Sequence, residues 1–87
     1  MNIQVPTIHL NGTSKRVLLE ELGAADESVR DAFEKLAHAA PNARDYYVAD
    51  DPEAFTKAKR EHVARLNKIR EIVEELEFLQ IEIHTQN

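Results

Sequence analysis

The sequence predicts an all-α protein, an antiparallel two-helix hairpin with an extended N-terminal arm, assembled as a homo-oligomer. Two long stretches repeat apolar residues at the three-and-four spacing of a helix, and a Pro-containing polar loop separates them. The chain has 87 residues with only two Gly and three Pro, so it is one small domain with little loop. A chain of this length buries only about 60 to 65% of its unfolded surface, so association with a copy of itself is expected.

Residues 1–13 form the arm, and residues 14–87 the hairpin. In the arm Ile3, Val5, Ile8 and Leu10 nearly alternate, but Pro6 interrupts them and disfavours helix at Val5, which leaves a lone strand or a coil. At about 3.3 Å per residue the arm reaches roughly 43 Å, enough to run along its own hairpin or to clasp a neighbour's. The first helix is expected over about 14–40. Leu18, Leu22, Ala25, Val29, Ala32, Leu36 and Ala40 recur in steps of four and three, joined by Phe33 and Ala37. Gly23 costs about 1 kcal/mol against Ala, yet the stripe keeps its phase across it, so one continuous helix is expected. Asn11-Gly12-Thr13-Ser14 supplies a turn and a cap at its start, and Pro41-Asn42 its stop.

The loop covers 41–51 and the second helix about 52–84. Asp50-Asp51-Pro52-Glu53 reads as an acidic cap, Pro at the first helical position and Glu in the first turn, all favourable to the helix dipole. Beyond it Phe55, Ala58, Leu66, Ile69, Ile72, Val73, Leu76, Leu79 and Ile83 make a wide apolar stripe along about 48 Å of helix. Ile72, Phe78 and Leu79 lie off the seam of Leu66, Ile69, Val73 and Leu76, so part of this stripe is expected to meet another protomer.

Charge and composition exclude several functions. A net charge of −5 argues against binding DNA or RNA polymers through a general cationic surface. With no Cys there is no disulfide framework, thiol nucleophile or thiolate metal site. His9, His38, His62 and His84 lack the i, i+4 pairing of helical zinc sites, and no Ser and His form a hydrolase pattern. The chain is therefore expected to be neither an enzyme nor a metal or cofactor protein. No membrane partner is expected either, because no apolar run approaches the roughly 18 residues of a span.

Three polar clusters are candidate binding elements. Asn11, Thr13 and Ser14, with Lys15 and Arg16, stand at the mouth of the first helix, where unpaired amides and positive partial charge suit a phosphate or carboxylate; the same residues also read as an ordinary turn and cap. Arg44, Asp45, Tyr46 and Tyr47 combine a guanidinium with two aromatic faces, the parts of a nucleotide pocket. The alternative is a loop anchored by its Tyr rings; with side chains alternating, one ring is expected to pack inward and the other to be free. Third, the second helix has six cations and one acid between Phe55 and Arg70, and five acids with no cation from Glu71 onward. This polarity favours an antiparallel copy, and it also makes Lys57 and Arg60 a cationic rim near the Tyr loop.

The segments Ile8-His9-Leu10-Asn11-Gly12-Thr13-Ser14 and Arg44-Asp45-Tyr46-Tyr47 resemble those of small phage-encoded proteins. Across the whole chain the layout is similar to helical nucleotide sponges that counter bacterial cyclic-oligonucleotide signalling, such as anti-CBASS proteins. The resemblance implies a cytoplasmic protein of an infected bacterium that sequesters an anionic cyclic nucleotide in pockets between subunits. The mouth of the first helix and the Tyr loop stand about 39 Å apart in one hairpin, so such a pocket needs two antiparallel protomers. The alternative is an oligomeric helical interaction module, an adaptor, inhibitor or scaffold, that holds a host or virion protein through Ile72, Phe78 and Leu79.

Overall fold

The computed structural model describes all 87 residues. It contains α1 (Lys15–His38), a 3-10 turn (Ala43–Asp45) and α2 (Ala54–His84), with no strand. The helices run antiparallel: Asp26 of α1 meets Gln80 of α2, Arg30 meets Glu77, and Phe33 lies under Arg70. The hairpin is long and thin, 62 × 23 × 17 Å, and its radius of gyration of 18.8 Å exceeds the roughly 12 Å of a compact domain of this length.

The phase of α1 differs from the expected one. Its face toward α2 is Leu19, Leu22, Asp26, Val29, Phe33 and Leu36, all half-buried, whereas Ala25 and Ala32 are exposed. The opposing seam of α2 is His62, Leu66, Ile69, Val73, Leu76, Gln80 and Ile83. Both seams advance by alternating threes and fours, the spacing of antiparallel helices packed side by side. The α2 seam keeps the expected Leu66, Ile69, Val73 and Leu76 and is extended by His62, Gln80 and Ile83, whereas a count of apolar residues alone misplaces the α1 face because Asp26 occupies a seam position. Gln80 Nε2 donates to Asp26 Oδ2 at 3.2 Å and also to the Leu76 carbonyl, which makes two polar side chains tolerable there. α1 passes through Gly23 unbroken, as its apolar phase implies.

Helix termini follow local chemistry. Ser14 caps α1, its Oγ accepting from the Val17 amide at 3.2 Å. α2 begins at Ala54 rather than at Pro52, because Asp51 closes a turn ahead of it: Asp51 Oδ1 accepts from the Glu53 amide at 2.8 Å, and the Asp51 carbonyl accepts from Ala54. Of the arm's two candidate conformations, the coil is the one present. It lies on the tail of its own chain: the Ile8 amide donates to Gln86 Oε1 at 2.9 Å, and Gln86 Nε2 donates to the Pro6 carbonyl at 2.8 Å.

A two-helix hairpin has no interior of its own. Only Ala58, His62 and Ile83 are buried. The chain exposes 6724 Å², where a compact monomer of 9.9 kDa exposes about 5200 Å². No helix is long and apolar enough to cross a membrane.

Candidate functional site

The mouth of α1 is largely occupied by local bonds. Ser14 is used as the cap, Lys15 Nζ donates to the Gln86 carbonyl at 2.5 Å, and Arg16 pairs with Glu20 at 2.9 Å. Asn11 and Thr13 are exposed. Gly12 closes a turn on His9, its amide donating to the His9 carbonyl, and a Cβ there would stand 2.6 Å from His9 Nε2. A side chain at position 12 would displace the exposed imidazole of His9, which is free to swing away.

The interhelical loop divides its residues differently. Asn42 Oδ1 accepts from the Arg44 amide at 3.1 Å and starts the 3-10 turn that holds Arg44 and Asp45. Tyr46 packs on Phe55 with ring centroids 6.1 Å apart, and Lys59 Nζ stands 5.3 Å from the Phe55 ring centre. Tyr47 is 80% exposed, and Arg44 and Asp45 are exposed as well. One ring thus packs and its neighbour is free. Phe55, placed on the helix-packing stripe by its spacing, serves instead to anchor the loop.

Lys57, expected in a free cationic rim, is bonded to Asp51, its Nζ donating to Oδ2 at 2.5 Å. That bond, with the Glu53 amide second, holds the Asp51 carboxyl below its ordinary value of 3.8. Arg60 is exposed and unpaired. Among the eleven Lys and Arg of the chain, Arg44, Arg60, Arg65 and Lys68 alone have no ion pair, side-chain hydrogen bond or aromatic partner. All four lie in the loop or in the half of α2 that follows it.

Beneath the loop, Ala58 and His62 are buried one turn apart on α2, and His62 Nε2 finds no hydrogen-bond partner in the chain. No spacing rule singles out this histidine, because it sits in an apolar phase that a polar residue interrupts.

The two predicted clusters remain apart in one chain, separated by the length of α1, about 36 Å for 24 residues. Between them a groove of about 870 Å³ runs along the middle of the hairpin, lined in part by Glu27, Asp31, Glu34, Arg30 and Arg70. Its two guanidiniums are engaged: Arg30 by Asp26 and Glu77, which raise its pKa further, and Arg70 by Asn67 and the face of Phe33. Three carboxylates against two committed cations do not suit an anion, and the groove contains none of the predicted site residues. No group of three His, Cys, Asp or Glu is placed to hold a metal ion.

Compared with known proteins, the chain matches no family model, no curated protein and no solved structure.

Proposed function

We propose that this protein is a non-enzymatic binder, working as a homo-oligomer, that sequesters an anionic nucleotide at the loop end of the hairpin, between subunits. The observation that supports this reading is the exposed, unpaired Arg44 three residues from the exposed Tyr47, in a turn whose other ring is committed to packing. A guanidinium forks onto phosphate, and a free phenol ring stacks on a base. Arg60 adds unneutralised positive charge to the half of α2 that follows the loop, which draws anions toward this end despite the acidic chain. In the setting that the resemblance to phage sponges implies, the ligand is a cyclic oligonucleotide messenger and the compartment is the cytoplasm of an infected bacterium. Asn11, Thr13 and Ser14 enter only from a second subunit, since one hairpin holds them at its far end.

The test is native mass spectrometry of the purified protein against cyclic di- and trinucleotides and cyclic ADP-ribose isomers. Discrete ligand masses are expected on the wild type. Arg44→Ala should lose at least tenfold in affinity while its assembly state is unchanged; an Arg44→Ala protein that binds as well as wild type defeats the assignment.

A second reading is favoured by one feature. Val63 and Ile81 are 54% and 60% exposed, on the side of α2 turned away from Ile72. An interaction module that holds a host or virion protein would use such positions. Of the strip first assigned to that role only Ile72 is exposed, Phe78 and Leu79 being half-buried. A mass spectrum with no ligand gain across the panel favours this module.

A further inference from the structure

One flank of α2 collects unpaired charges of both signs around an exposed isoleucine. On α2, Arg65, Lys68, Ile72, Glu75, Leu79 and Glu82 follow each other in alternating steps of three and four, a second heptad stripe beside the seam. Ile72 is 46% exposed, and none of the four charges has an ion-pair partner within the chain. On α1 the matching flank carries Ala25 and Ala32, both exposed and both small enough for close helix approach, with Lys35, paired with Asp31, one step beyond them. Because the helices are antiparallel, these flanks open on the same side of the hairpin. Ala32 stands between Arg30, bound to Glu77, and Phe33, under Arg70, so it is level with Ile72.

From this we infer that the face of Ala32 and Ile72 is the docking surface for a second copy of the chain, packed antiparallel about a two-fold axis at the level of those residues. Ile72 then meets Ile72, and Ala32 meets Ala32. Counting outward from Ile72, Lys68 of each copy faces Glu75 of the other, and Arg65 faces Leu79 with Glu82 one turn beyond. Each copy's basic half lies on the other's acidic half, whereas a parallel pair would set Lys68 against Lys68. The surface in excess of a compact monomer, about 1500 Å² per chain, surpasses the roughly 800 Å² per partner of a standard interface.

This inference deepens the reading above and rests on it only for the claim that two subunits complete the site. Ile72 is twelve residues from His84 and twelve from Arg60, so the end of α2 in one copy comes level with Arg60 of the other. Lys15 ties the mouth of α1 to Gln86 at that same end, and Tyr46 ties the loop to Phe55. The two-fold therefore brings Asn11 to Ser14 of one copy to the level of Arg44 to Tyr47 of the other. The halves that a single hairpin holds about 36 Å apart meet twice in the dimer.

The chain has no Cys, so single substitutions report cleanly. Disulfide formation needs Cα atoms within about 7 Å, which restricts linkage to residues opposite each other. In nucleotide-free protein under mild oxidation, Ile72→Cys should form a covalent dimer. Val63→Cys, nine residues away and on the far side of the helix, should stay single. Lys68→Cys and Glu75→Cys should each stay single alone and link when mixed. By light scattering the wild type should have at least twice the 9.9 kDa of one chain, and Lys68→Glu should weaken association at least tenfold, with Glu75→Lys in the same chain restoring it. A 9.9 kDa particle at tens of micromolar, self-linkage of Lys68→Cys, or linkage through Val63→Cys in preference to Ile72→Cys overturns the inference. Absence of nucleotide binding leaves these results unchanged, and a monomer that binds nucleotide through Arg44 overturns the interface and, with it, the placement of the site between subunits, while leaving Arg44 as the ligand-binding residue.

Discussion

At the tail end of the hairpin Ile83 is wholly buried, and the polar groups around it are paired: Gln86 holds the arm by two hydrogen bonds, and Lys15 holds the Gln86 carbonyl. At the loop end the buried pair is Ala58 and His62, the histidine has an unpartnered Nε2, and Arg44 and Tyr47 stand in water. Both ends meet the same problem, that two helices cannot enclose each other's termini. The tail end solves it with a segment of its own chain. The loop packs on α2 through Tyr46 and leaves Arg44 and Tyr47 exposed, so these groups gain most from an outside partner. Self-sufficiency at one end and unused bonding capacity at the other are what direct the functional reading to the loop.

Substituting the buried residue at each end should sharpen this contrast by giving opposite signs. Ile83→Ala removes the one wholly buried side chain, and the expected loss is about 2 to 4 kcal/mol, a large share of the stability of so small a domain. Urea unfolding followed by circular dichroism measures it; a loss under about 1 kcal/mol would show that the tail end is not the anchor of the fold. His62→Leu at the loop end replaces a buried, unpartnered nitrogen with carbon of similar volume, and stability should rise by about 1 kcal/mol. A loss of that size would mean that His62 Nε2 is bonded in solution.

The smallest effect concerns the turn that opens α2. The Asp51 carboxyl is held below 3.8 by Lys57 and by the Glu53 amide, so it favours the folded state when ionised. Its contribution is complete above the ordinary value, and it is lost as the pH falls through the lowered native value. Asp51→Asn should therefore flatten the acid limb of the stability profile below about pH 4, with a slight loss at neutral pH. An unchanged limb between pH 4 and pH 2 would show that the exposed Lys57 pair is screened away in solution.

Much of the architecture was legible before any coordinates. Two long amphipathic periods and a Pro-containing break specify two helices and a reversal, because helix period and Pro chemistry are local properties. A cap at Thr13 or Ser14 was legible for the same reason, and Ser14 is the one used; the adjacent tyrosines do split into one packed and one free, but from a turn after the 3-10 helix rather than from the alternation of an extended loop. The seam of α1 was not. Leu18, Ala25 and Ala32 have as good a helical spacing as Leu19, Asp26 and Phe33, and choosing between them requires knowing that Asp26 finds Gln80 across the hairpin. Lys57 was likewise unassignable, since a lysine six residues beyond an aspartate becomes its partner only when Pro52 and Glu53 fold into a turn before the helix starts.

Local chemistry therefore specifies the elements and their order, since backbone hydrogen bonding and apolar period act within a few residues of one another. Packing between the helices settled which face of α1 was consumed by α2 and which charges were left without partners. Those outcomes depend on contacts between residues some fifty positions apart, such as Asp26 with Gln80 and Arg30 with Glu77, whose energies no local pattern encodes.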